Sequence, residues 1–315
     1  MISDIAHYLP SKKLTNKELS HVFENFSSTQ ISDKVGIDQR SISGFDEFSS
    51  DLASKAIERL FAKINCDRSL VDFLIVCTQT PDYLLPSTSA IVQRKSKLNI
   101  GCGAIDINQG CSGYIYSLAT AKALLENNTA RKVLLVTSDT YSKLLDSKDR
   151  STRSIFGDAA TATLLKLDSE TKIGKFVFGT DGRGSESLLA YNSGMKIDHE
   201  KSKYLFMDGP EIFKFTINVI PELVNEILNV NQCDIEEIDY FVFHQANAFM
   251  LEHLRKKLDL DKKKFLIAMK DCGNTVSSSI PLLVENLIKK KSWGKVLLCG
   301  FGVGYSWGGT ILCRC

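Results

Sequence analysis

The chain has 315 residues, of which 43% are hydrophobic and 24% charged, and its formal net charge is +2. That length allows one large domain or two halves of about 150 residues, and the composition is that of a globular protein, which excludes disorder. The near balance of charge gives no argument for nucleic acid or an anionic membrane, no run reaches the roughly 18 apolar residues of a membrane span, and the start MISDIAHYLPSKKLTN lacks a signal-peptide pattern.

In chain order, FLIVC (73–77) is a short, continuously apolar run of the kind found in strands covered on both faces. The stretch IDINQGCSGY (105–114) begins with alternating Ile105 and Ile107, breaks at Asn108-Gln109-Gly110, and presents Cys111 at once. Beyond it Tyr114, Leu118, Ala121 and Leu125 recur at helical spacing, which predicts a helix over 114–125. VLLV (133–136), YFVFH (240–244) and VLLC (296–299) read as further buried strands, and 280–290 as a second amphipathic helix. The basic runs Lys262-Lys263-Lys264 and Lys289-Lys290-Lys291 are expected near helix ends, where solvated lysines favour the dipole.

The nine cysteines (66, 77, 102, 111, 233, 272, 299, 313 and 315) are odd in number and contain no C-x-x-C. Reduced thiols in a cytoplasm fit them better than a disulfide framework, and apart from Cys111 they are expected to be small buried hydrophobes. Cys313 and Cys315 form a C-x-C, but no His or second cysteine pair completes a metal site, and none is expected.

The chain also echoes itself. VDFLIVCTQT (71–80) resembles IDYFVFHQAN (238–247) at an offset of 167, and RKVLLVTSD (131–139) resembles GKVLLCGFG (294–302) at an offset of 163. The second offset carries Cys111 to Asn274, and both precede a predicted helix. Duplication places the two residues in equivalent strand-to-helix turns, at the carboxyl ends of strands where α/β proteins build their sites.

NQGCSGY (108–114), FGDAATA (156–162), MDGPEIFKF (207–215), HQAN (244–247), CGNTVSSSIP (272–281) and GFGVGYSWGG (300–309) together resemble β-ketoacyl-acyl-carrier-protein synthase III of the thiolase superfamily. The resemblance implies an α/β, thiolase-like fold with two duplicated halves, 1–168 and 169–315, in a five-layer α-β-α-β-α arrangement. It implies a homodimer and a Cys-His-Asn triad, here Cys111, His244 and Asn274. Cys111 would take an acyl group from a thioester, its thiolate favoured by the helix start. His244 and Asn274 would stabilise the enolate formed when malonyl-acyl-carrier protein loses carbon dioxide. A second oxyanion hole would use the backbone N–H of Cys111 and of Val303, where the family usually has Gly. Asn274, where other thiolases have a basic cysteine, favours decarboxylative chemistry over deprotonation, although Cys272 stands close by. CTQTPDYLLPS (77–87) shows no glutamate of the hydroxymethylglutaryl-CoA-synthase type.

Departures from the family concern the entrance. Gln30 stands where the family has the tryptophan that stacks on the adenine of coenzyme A, while Arg150 matches the arginine on the other side of that ring. Phe249 replaces the arginine that contacts phosphate in HQANxR, which removes a charge-assisted contact. Leu85 matches the phenylalanine that reaches across the dimer to wall the acyl pocket, and Lys214, Lys256 and Lys257 are candidate contacts for an acidic carrier protein. The expected function is therefore a ping-pong decarboxylative Claisen condensation with malonyl-acyl-carrier protein, no cofactor, and a donor other than standard acetyl-CoA. Two alternatives are an acyltransferase forming an ester or amide, and a non-catalytic heterodimer partner, which the intact Cys111 disfavours.

Overall fold

The computed structural model describes residues 1–23, 26–290 and 292–314. The strands of the first large sheet are β1 (Ile2–Tyr8), β2 (Phe73–Cys77), β3 (Gly103–Ile107), β4 (Val133–Asp139) and β5 (Ala159–Leu165), in the spatial order β1-β5-β4-β2-β3. Those of the second are β6 (Thr171–Ile173), β7 (Val177–Thr180), β8 (Tyr240–Phe243), β9 (Lys295–Gly302) and β10 (Ser306–Arg314), in the order β8-β9-β10-β6, with β7 also on β10.

The two sheets repeat one pattern. β2 runs parallel to β4 and β5 antiparallel to it, just as β8 runs parallel to β9 and β10 antiparallel to it. The register repeats as well: Phe73 faces Val133, and Tyr240 faces Val296. Those pairs are related by the same offsets, 167 and 163, that relate the echoed sequence segments. The neighbour of β2 is β3, and the equivalent neighbour of β8 is a single parallel bridge from Phe241 to Phe265.

Helices α1 (Ser49–Lys63) and α2 (Thr88–Lys95) cover the outer face of the first sheet, and α4 (Gly209–Val230) and α5 (Ala248–Lys257) that of the second. Between the sheets lie α3 (Gly113–Glu126) and α6 (Ser279–Lys290), which completes the five layers. Period-two alternation explains why the central strands are apolar throughout. Val133 and Leu135 point to the central layer while Leu134 and Val136 meet the outer helices, and Val296 and Leu298 alternate with Leu297 and Cys299 in the same way.

The predicted helices are thus observed at 113–126 and 279–290. Lys289 and Lys290 lie in the last turn of α6 as expected, while Lys291 lies outside the described residues. Lys262–Lys264 do not end a helix: α5 stops at Lys257, and the Lys264 ammonium donates to the carbonyl of Ile238 at 2.7 Å. Cys77 and Cys299 are buried as expected, but Cys66, Cys102, Cys233 and Cys272 are only partly so. These six and Cys111 are free thiols, and Cys315 lies outside the described residues. Among the described residues no helix is long and apolar enough to cross a membrane, and no cluster of His, Cys, Asp or Glu is arranged to hold a metal.

Candidate active site

Cys111 occupies a tight turn between β3 and α3. The turn can form because both flanking residues lack a side chain: a Cβ on Gly110 would strike Gln79 Oε1, and one on Gly113 would strike the sulfur of Cys77. Gly113 N–H closes the turn onto the Gly110 carbonyl at 2.8 Å. The backbone of Val303, and that of Cys111 itself, lies beside the Cys111 thiol and acts to lower its pKa.

The HQAN motif divides its work residue by residue. His244 follows β8 directly and is 1% exposed. Gln245 clips that strand to its neighbour, donating to the carbonyls of Phe243 at 2.8 Å and Leu266 at 3.1 Å and accepting from Ala268 N–H at 2.8 Å. Asn247 caps α5, its side chain accepting from Met250 N–H at 2.9 Å.

Asn274 lies in a turn held by Ile155 and Gly157, and its Oδ1 accepts the Val276 N–H at 2.9 Å. That bond turns Nδ2 to within 3.5 Å of His244 Nε2. On the other side of the ring, Nδ1 lies 2.8 Å from Ser279 Oγ. With the hydroxyl donating there, Nε2 carries the hydrogen, and two donors converge on one point. Phe301 meets the imidazole edge-on at 5.7 Å.

Cys111, His244 and Asn274 line a single cavity of about 120 Å³, walled by apolar residues that include Phe156, Leu188, Met207 and Ile212. Burial holds His244 neutral, with its pKa lowered to about 3 against the opposing effect of a hydrogen bond to the Val276 backbone. For Cys111 the expectation of an activated thiol is reversed. Burial, and secondarily the charge of Asp139, push it up to about 12 against the lowering effect of the two backbone groups, so the resting group is a thiol.

The entrance residues are not brought to this cavity. Leu85 is 83% exposed in the loop before Pro86, outside the pocket within one chain. Gln30 is exposed on the short helix Ser28–Val35, accepting from the Ser27 N–H at 2.9 Å. The Arg150 guanidinium lies 4.7 Å over the ring of Phe26, an aromatic plane that the sequence reading missed. Phe249 stands half-exposed on α5 against Phe213 of α4, at 5.6 Å, and His253, at 4.2 Å. Lys214 pairs with Glu211 of α4 at 3.6 Å, Lys257 donates to the Ile217 carbonyl at 2.8 Å, and Lys256 is exposed at the end of α5. Ser279 and Phe301 were also missed: a serine in TVSSSIP and a phenylalanine inside an apolar strand carry no signal of their own.

A doubled α/β-sheet sandwich with this pocket at the carboxyl ends of its parallel strands is the architecture of a thiolase-type condensing enzyme. Residues 105–182 match the family model described as 3-oxoacyl-[acyl-carrier-protein (ACP)] synthase III, and residues 228–313 match its C-terminal companion. A β-ketoacyl-[acyl-carrier-protein] synthase III of Streptococcus agalactiae is 38% identical over 99% of this chain and 98% of its own length. That of Clostridium tetani is 34% identical over 97% and 95%. A crystal structure of a 3-oxoacyl-(acyl-carrier-protein) synthase III superposes with a TM-score of 0.94 at 40% identity, covering 99% of this chain and 98% of that one. The Thermus thermophilus synthase III superposes at 0.91 with 33% identity, covering 100% and 99%. The chain belongs to the β-ketoacyl-acyl-carrier-protein synthase III family, acyl-transferring condensing enzymes of the thiolase superfamily.

Proposed function

We propose that the chain catalyses a ping-pong decarboxylative Claisen condensation between a Cys111-bound acyl group and malonyl-acyl-carrier protein, with Cys111, His244 and Asn274 as its triad. The observation that carries this reading is the convergence of His244 Nε2 and Asn274 Nδ2, 3.5 Å apart, in the cavity that holds the Cys111 sulfur. Cys111 attacks the donor thioester carbonyl, and the proton it gives up ends on the departing sulfur, so that the donor leaves as a thiol. The malonyl thioester then loses carbon dioxide, and its enolate oxygen is held by the two side-chain donors. In an enclosed, largely apolar pocket such donors are worth several kcal/mol, because no water competes for the developing charge. The enolate carbon attacks the acyl carbonyl, whose oxygen is held by the N–H groups of Cys111 and Val303. Collapse of that intermediate releases the β-ketoacyl thioester and the Cys111 thiolate, which takes a proton from solvent to restore the resting thiol. No cofactor takes part in this scheme.

The entrance favours a donor other than standard acetyl-CoA. Gln30 offers no ring and Phe249 no charge, although Arg150 with Phe26 supplies a cation and an aromatic plane. The carrier protein would dock near the aromatic group at Phe249, with Lys214, Lys256 and Lys257 as its basic contacts. We divide the chain into halves at 168/169, place it in the cytoplasm, and read it as a homodimer. Three observations support the dimer: β3 is a sheet edge, Ile100 and Leu85 are exposed, and Asp106 of β3 holds the N–H groups of Thr88 and Ser89 just past Leu85.

The test is intact-protein mass spectrometry after exposure to a panel of acyl-CoA and acyl-carrier donors, followed by malonyl-carrier protein. The expected result is an acyl mass on Cys111, absent in Cys111→Ala, then carbon dioxide release and a β-ketoacyl product. Acyl transfer to a hydroxyl or amine without carbon dioxide would replace condensation with the acyltransferase reading, and acetyl-CoA as fast as any other donor would overturn the altered entrance.

A further inference from the structure

Asp139 ends β4, is fully buried, and forms no ion pair among the described residues. Its carboxylate is held by neutral donors from two places. Oδ1 accepts the Gln79 N–H at 2.8 Å and the Thr78 hydroxyl at 3.4 Å, both from the turn after β2. Oδ2 accepts the Ser277 hydroxyl, from the turn after Asn274, and the Ser277 backbone also bonds the carboxylate.

Each arm leads to a reacting group. Gln79 Oε1 accepts the Tyr141 hydroxyl at 2.5 Å and stands against Gly110, whose neighbour is Cys111. Ser277 sits in the single 3₁₀ turn Val276–Ser278, whose first N–H is the donor that orients Asn274. Next to it, the Ser278 hydroxyl meets Thr137 Oγ1 of β4 at 2.8 Å, so the turn is docked on that strand at two points. A buried carboxylate without a cation costs stability that an apolar residue would not. Its position between the two halves of the site gives that cost a use.

We propose that Asp139 is a positioning residue whose carboxylate, bonded at once to the turn beside Cys111 and to the turn beside Asn274, sets the separation between the nucleophile and the enolate-binding pair. This rests on the triad reading above. Burial pushes the Asp139 carboxyl up to about 7. The titratable groups that face it are Cys77 at the end of β2, Cys111 in its turn, and Tyr141 just after β4, and the charge of Asp139 raises all three.

The test compares Asp139→Asn, which keeps the shape but loses the charge and one acceptor, with Ser277→Ala, which cuts one arm and keeps the charge. Two quantities are read: the pH profile of Cys111 alkylation by iodoacetamide, followed by peptide mass, and single-turnover rates of acylation and carbon dioxide release. In both variants condensation should slow by roughly ten- to a hundredfold, the penalty of a small misplacement, with acylation less affected. Only Asp139→Asn should move the alkylation limb to lower pH. Wild-type condensation in both folded variants overturns the inference, as does an unmoved alkylation limb in Asp139→Asn. If Asp139→Asn does not fold, wild-type condensation by Ser277→Ala alone overturns it. A wild type that is alkylated at Cys111 but never releases carbon dioxide defeats the proposed reaction instead, and the alkylation limb then decides the inference by itself.

Discussion

Gly302→Ala is a one-carbon change aimed at the geometry of the nucleophile. Gly302 ends β9, paired with Ser306 of β10, and its vacant side-chain position faces the Cys111 turn. A Cβ there would lie 2.7 Å from the Cys111 Cβ and 2.9 Å from its sulfur. Rotation of the thiol relieves only the second contact. The first is between two atoms fixed to backbone, which must separate by roughly 0.7 Å to reach ordinary packing distance. β9 cannot supply the movement, because it is bonded to β8 on one side and β10 on the other and is buried along most of its length. The Cys111 turn must therefore shift away from the Val303 N–H. Overpacking of this kind costs about 1–3 kcal/mol of stability, and a misplacement approaching an ångström costs on the order of a hundredfold in rate. Stopped-time intact mass spectrometry of acyl-Cys111, with thermal unfolding of the same sample, reads both quantities. A Gly302→Ala protein that acylates at the wild-type rate with unchanged Tm would refute the claim that this contact positions the nucleophile.

Asn274→Ala should leave acylation of Cys111 near normal while carbon dioxide release falls on the order of a hundredfold, since one of two enolate donors is lost; equal loss in both half-reactions, measured by mass and by released carbon dioxide, would contradict the assignment. His244 should cost stability in acid. Its folded pKa, about 3, lies below its ordinary 6.5, so only the unfolded chain binds its proton between those values, and stability falls as pH drops through that window. Asp139 works the other way: its folded pKa, about 7, lies above its ordinary 3.8, so stability rises as pH falls between those values. The wild-type curve therefore mixes the two, and the difference between wild type and His244→Gln isolates the histidine: denaturant melts should show the variant gaining, relative to wild type, a few kcal/mol, order of magnitude, from neutral pH to about pH 4. Phe249→Arg should lower KM for CoA-linked donors by about tenfold, the worth of one charge-assisted phosphate contact, with kcat unchanged; steady-state kinetics on acyl-CoA and carrier-linked donors in parallel checks it.

The strands, the central helices and the repeat were legible because both faces of each central strand are buried and their apolar runs admit little else. Cys111 and Asn274 were legible as equivalent positions of the repeat, whereas their grouping with His244 came only from the family resemblance; in the structure all three line one cavity. The elbow glycines were legible as a turn, and the structure adds their steric reason, the side chains of Gln79 and Cys77 pressed against them. What stayed hidden depends on contacts between segments far apart in the chain. Asp139 reads as the polar end of an apolar strand, and only folding brings Ser277 to it from 138 residues away. Ser279 reads as a helix start, yet it meets His244 35 residues back. Phe26 carries no motif, and its pairing with Arg150 follows from two surface segments meeting.

The ionisation of Cys111 departs from the sequence-based expectation for a related reason. Proximity to a helix start is visible in sequence and argues for a thiolate, whereas enclosure is a property of the folded pocket and argues more strongly for a thiol. The two influences act at different points of the cycle. A protonated sulfur at rest suits a pocket lined by Phe156, Leu188 and Met207, because no uncompensated charge is then buried. In the mechanism we propose, when a thioester carbonyl enters, the negative charge moves from sulfur to the acyl oxygen, where the N–H groups of Cys111 and Val303 would hold it. The helix start and the oxyanion donors then stabilise the same developing charge in the transition state without having to sustain a free thiolate before it. On this account acylation depends on how the donor is seated more than on how acidic the thiol is. The altered entrance at Gln30 and Phe249 should therefore change the rate of the first half-reaction from one donor to the next while leaving the condensation step common to all of them.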